Sequence, residues 1–149
     1  MSFIKNVYVY AKTNNLLFGI VIIDLVSFIS YFLSGGVSIL ITGDIQLLFG
    51  VILGVWFALK FLHNKKKSII LGILVGSIGA VLSALSLAIF QWTFAQSVII
   101  DIVIIYLYPA VIIGPIAGLA VGMVYYLKDK TKSEPIDDSD EFYKSLEEK

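Results

Sequence analysis

Apolar residues in this chain come in long unbroken blocks rather than in a period of two or in a single stripe. Leu16–Leu33, Asp44–Leu62, Ser68–Phe90 and Val98–Leu127 each read as a helix apolar around most of its circumference. Blocks of about 20 such residues match the roughly 30 Å hydrocarbon core of a bilayer at 1.5 Å per residue. The pattern predicts an all-α integral membrane protein, a bundle of four transmembrane helices with spans near 16–33, 44–62, 68–90 and 104–127. The last block runs for 30 residues, roughly 45 Å, too long for one straight crossing. Pro109 removes a backbone donor and disfavours helical geometry at Tyr108, so a break or kink is expected there. Val98–Tyr108 would then extend outward or lie at the interface.

The punctuation between blocks fits this division. Met1–Asn15 places Phe3, Val7 and Tyr10 at i, i+4 and i+7, which suits a short interfacial helix or a frayed terminus. Asn14 or Asn15 can cap the first span. Ser34-Gly35-Gly36 ends it, and Thr42 can cap the second with Asp44 in its first turn. His63-Asn64-Lys65-Lys66-Lys67 is a short basic loop, and Gln91–Ser97 an uncharged connector. After Lys128 the composition changes. KDKTK is basic, and residues 133–149 carry seven acids and two lysines. Asp138 and Glu141 are spaced as a capping box, with Phe142 and Leu146 at i, i+4, so a short tail helix near 139–148 is plausible. It has too little apolar surface to fold alone.

Charge distribution then sets the orientation. All eleven basic residues are Lys. Counted along the flanks they run two, zero, three, zero, three: Lys5 and Lys12, then none, then Lys65–Lys67, then none, then Lys128, Lys130 and Lys132. Short loops rich in Lys stay on the cytoplasmic side, so both termini are expected there, in a cell membrane. The absence of Arg argues against nucleic-acid or phosphate recognition. There is no Cys, which excludes disulfides, thiolate metal sites and cysteine nucleophiles. The single His63, in a lysine-rich loop, reads as a solvated residue and cannot build a metal site by itself. No serine stands with a base arranged to activate it, and no phosphate-loop pattern occurs. No enzyme, cofactor or metal is expected.

Two features carry chemistry or assembly. The first is a set of small residues recurring at spacing four: Gly50, Gly54 and Ala58; Gly72 and Gly76, beginning a face that continues through Ala80, Ser83 and Ser86; and Gly114, Gly118 and Gly122. In lipid, where hydrophobic burial drives little association, such stripes let helix backbones approach closely. They could act within the chain or between copies. The short basic loop favours contact within the chain between the second and third spans. The second feature is Asp24, about eight residues and roughly 12 Å into the first span. A carboxylate there costs at least about 2.5–3.5 kcal/mol. Ser27, Tyr31 and Ser34 follow it as one polar stripe toward the outer surface. One reading is an ion, proton or substrate contact. The other is a protonated or hydrogen-bonded Asp that fixes packing. Asp44 reads as a helix-start residue and Asp101 as an outer-interface group.

Four short spans, an acid in the first and the Gly114–Gly118–Gly122 stripe in the fourth resemble the small multidrug resistance transporters in architecture. That family has Glu in place of Asp24, aromatic motifs in its middle spans and no long acidic tail, so the resemblance implies no membership. The leading functional expectation is an accessory, scaffolding or complex-subunit protein. Its partners would be the lipid bilayer, a homo-oligomer or larger membrane complex, and a cytoplasmic protein docking on the tail. The alternative is a small ion- or proton-coupled transporter or channel using Asp24, and a weaker one a holin-like pore-former.

Overall fold

The computed structural model describes residues 2–33, 40–62, 67–95 and 99–133 of the chain. Ser34, the loop residues around His63 and the acidic tail lie outside them, as does the tail helix expected near 139–148. Five α-helices occur among the described residues: α1 (Ser2–Thr13), α2 (Asn15–Leu33), α3 (Leu40–Lys60), α4 (Ser68–Ala95) and α5 (Ile99–Ser133). Three of them, α2, α4 and α5, are long and apolar enough to cross a membrane. The apolar part of α3, Ile45–Lys60, is shorter.

Several expected boundaries move. The ladder of backbone bonds continues from α1 into α2 through Asn14, whose N–H reaches Tyr10 O at 2.8 Å while its carbonyl accepts from Phe18 N at 2.9 Å. Asn15 then ties helices together: its Nδ2 donates to Ala58 O on α3 at 3.2 Å. Helix α3 starts at Leu40, so Thr42 lies inside the helix and does not cap it. The expected connector is mostly helix, since α4 continues through Gln91 to Ala95. Of the break or kink expected at Pro109, no break occurs. Helix α5 runs unbroken through Pro109 and Pro115 for 35 residues. Proline inside a membrane helix is tolerated where neighbouring groups re-satisfy the freed carbonyls.

The helices pack as two antiparallel pairs, α2 with α3 and α4 with α5, set side by side so that α2 also meets α4 and α3 meets both α4 and α5. Small residues at spacing four decide both pairs. A methyl added at Gly114 would stand 2.7 Å from Gly76 O and 2.8 Å from Ala80 Cβ; one added at Gly122 would stand 2.7 Å from Ser68 O. Gly72 and Gly118 are closer still, backbone against backbone. Ser68 Oγ donates to Gly122 O at 3.0 Å and fastens the end of this seam. Gly19, Gly50 and Gly54 do the same for α2 and α3, with Gly19 2.6 Å from Ala58 Cβ on the same test. Gly50 and Gly54 of α3 therefore face α2, and Gly72 and Gly76 of α4 face α5. The expected glycine contact between the second and third blocks gives way to these two seams.

The core between the pairs is small-sided: Ile23, Val51, Val55, Ala58, Val75, Ala80 and Ala110 are buried. Outward faces are apolar and exposed, as at Leu17, Val21, Ile70 and Val124, a surface suited to lipid rather than water.

Because a single Cβ at Gly118 would meet the Gly72 backbone, Gly118→Ala is expected to lower stability by about 1–3 kcal/mol. Leu119→Ala, on the exposed face of the next position, should change it by under about 0.5 kcal/mol. Unfolding of the purified protein in mixed micelles measures both.

Candidate functional site

The α2 sequence alternates its faces with helical period. Gly19, Ile23, Ser27 and Tyr31 form the buried face. Leu17, Val21, Leu25 and Ile29 form the exposed one. Asp24 follows Ile23 and lies at the edge of the buried face, on the side shared with Ile20 and Phe28. That side faces α4, since Phe28 packs edge-on against Phe90 with ring centroids 5.3 Å apart.

The register between α2 and α4 places Asp24 more closely. Gly19 sits against Val75, and Gly79 against Ile23. Toward the other end of α2, Tyr31 and Phe32 pack on Phe90, and Gln91 Nε2 donates to Tyr31 Oη at 2.7 Å. Between these contacts the parallel register brings Ser27 level with Ser83, one turn beyond Ile23 and Gly79. Ser27 and Ser83 are both fully buried. Ser27 Oγ also lies against Gly50 of α3, which as a glycine leaves it room.

The result is a polar layer inside an otherwise apolar packing. Asp24 Oδ1, Ser27 Oγ and Ser83 Oγ are buried and meet no hydrogen-bond partner among the described residues. Unpaired polar atoms are costly in a medium without water, so such a group of oxygens has a use for a proton, a water or a small cation. A hydroxyl can donate or accept, and a carboxyl can hold a proton or release it. The chemistry on offer is that of exchange at hard oxygen atoms.

Of the residues expected at the site, Ser27 and Tyr31 share one buried face, Asp24 flanks it, and Ser34 lies outside the described residues. Tyr31 is engaged by Gln91, so it closes the layer toward the C-terminal end of α2. Ser83 and Gln91 were not expected there. Ser83 reads in the sequence as one more small residue on a packing face, and Gln91 as part of a connector. What reveals them is the α2–α4 register, which the sequence of one helix does not contain. Asp44 and Asp101 fall within α3 and α5. Among the described residues no group of three His, Cys, Asp or Glu could hold a metal ion.

Tyr31→Phe removes the acceptor of the Gln91 bond and is expected to destabilise the protein by about 0.6 kcal/mol and at most about 1.7 kcal/mol. Asp24→Asn, which removes an ionisable group without a partner, should leave stability unchanged or raise it. A loss above about 1 kcal/mol, measured by the same unfolding transition, would show that the carboxyl is a packing element.

Comparison with protein-family models, with curated proteins and with solved structures returned no significant match.

Proposed function

We propose that this chain is a small multi-pass membrane protein of four spans, both termini cytoplasmic, that moves or senses a proton or small cation at Asp24. The observation that carries the reading is the buried, unpartnered carboxyl oxygen of Asp24, together with the buried unpartnered hydroxyls of Ser27, one turn on in α2, and Ser83 of α4. Helix packing alone needs none of these oxygens. The glycine seams already bring the backbones together, and a carboxyl in the span costs free energy that an apolar residue would not. An ionisable group inside a membrane helix marks an ion or proton contact by default. The serines supply neutral donors and acceptors that can follow a change in the charge of Asp24. Lysine counts in the short flanks support the orientation. Asp24 then lies within the membrane, toward the cytoplasmic end of α2, with Tyr31 and Gln91 on the outward side.

Full-length protein reconstituted in vesicles with an entrapped pH indicator tests this. An imposed proton or sodium gradient should give pH-dependent flux that Asp24→Asn abolishes and Ser83→Ala reduces. Undiminished flux in Asp24→Asn would contradict the reading.

A second reading, the accessory or complex subunit, is favoured by the change of composition after Lys128 and the seven acids of residues 133–149. A charged tail of this kind suits docking by a cytoplasmic partner. On this reading, deletion of 133–149 should remove co-purifying partners while the protein still inserts. An unchanged set of partners would count against it.

A further inference from the structure

A groove of about 370 Å³ runs along the outside of the molecule between α3 and α5. Its walls are wholly apolar, including Leu48 and Ile52 of α3 and Ile116, Ala117, Ala120 and Val124 of α5. Helices α3 and α5 run in the same direction and are bridged where Tyr125 Oη donates to Trp56 O at 3.3 Å. Trp56 is half exposed and lies one turn beyond Ile52.

The two ridges that wall the groove continue past this bridge in steps of four residues, and both end in lysine. On α3 the series is Leu48, Ile52, Trp56, Lys60. On α5 it is Ile116, Ala120, Val124, Lys128. Because α3 and α5 run in the same direction, both lysines lie at the same end of the helix pair, beyond the Tyr125–Trp56 bridge. Both are exposed. Lys60 Nζ stands 5.4 Å from the centroid of the Trp56 ring, a contact that does not neutralise its ammonium. No acid among the described side chains pairs with either lysine.

The apolar trough, the Trp56 ring and the two ammonium groups at the same end of the helix pair form a graded surface. We infer that the α3–α5 groove is a binding site for an anionic phospholipid, one acyl chain lying along Leu48–Val124 and the phosphate held between Lys60 and Lys128. Charge complementarity selects this occupant. A partner helix would fill the trough equally well, but would leave the paired lysines without a counter-charge. A zwitterionic lipid offers the phosphate with its own cation attached. Juxtamembrane lysines of this kind favour anionic headgroups in the adjoining leaflet.

Trp56 is the natural reporter. In full-length protein carrying Trp92→Phe, it is the one remaining tryptophan. Reconstitution into phosphatidylcholine vesicles containing equal mole fractions of either brominated phosphatidylglycerol or brominated phosphatidylcholine then measures which lipid occupies the groove by quenching. Phosphatidylglycerol should be preferred severalfold. Lys60→Gln with Lys128→Gln should bring the two lipids level. Ala120→Phe, which fills the trough at an exposed position, should reduce the preference with both lysines intact. Lys65→Gln, Lys66→Gln and Lys67→Gln together should leave it. Equal quenching in the parent chain, or a preference lost with Lys65–Lys67 and kept without Lys60 and Lys128, would overturn the site.

Discussion

The structure depends on backbone approaching backbone. Along α4 and α5, Gly72, Gly76, Gly114, Gly118 and Gly122 bring the two helices so near that a single added carbon at these positions meets main-chain or Cβ atoms of the other helix. Along α2 and α3, Gly19, Gly50 and Gly54 do the same. In lipid the apolar side chains gain little by leaving the solvent, so packing and hydrogen bonding carry association. Ser68 and Asn15 add one bond each between helices near the ends of the seams. Nearly everything else about the interior follows from the register these contacts impose.

The polar layer is one consequence. Close approach of α2 and α3 at Gly50 and Gly54 pins the height of α2, and Ile23 locks it against Gly79 of α4. With both helices fixed, Ser27 and Ser83 come level and Asp24 is turned to the side of α4. The end of the layer toward the C-terminus of α2 is then closed by the aromatic contacts of Phe28, Tyr31, Phe32 and Phe90 and by the Gln91–Tyr31 bond. A carboxyl in a span is expensive, and the tight seams on either side of it supply the stability that lets the chain carry it.

The membrane-length character of α2, α4 and α5 was legible in the apolar blocks, because it depends only on local composition and length. Their ends were less so. Asn14 or Asn15 reads as a cap, and Asn15 serves as a donor to α3; Thr42 reads as a cap and sits inside a helix; Pro109 reads as a break or kink, and α5 is unbroken there. In each case a neighbouring helix or a continuing ladder overrides the local signal. The glycine stripes were visible, but not their partners, since spacing on one helix says nothing of which helix lies opposite. For the same reason Asp24, Ser27 and Tyr31 stood out, whereas Ser83 and Gln91 did not.

The central claim is that α2 and α4 share a register that sets Ser27 opposite Ser83 beside Asp24. The chain contains no cysteine, so Ser27→Cys and Ser83→Cys introduced together place two near-isosteric thiols in an otherwise silent background. Bridging by mercuric ion in membranes should join them rapidly within one chain, read as loss of both thiols to alkylation, while the pair Ser27→Cys and Ser86→Cys should remain free. Failure of the first pair to bridge, or equal bridging of the second, would contradict the register and with it the polar layer.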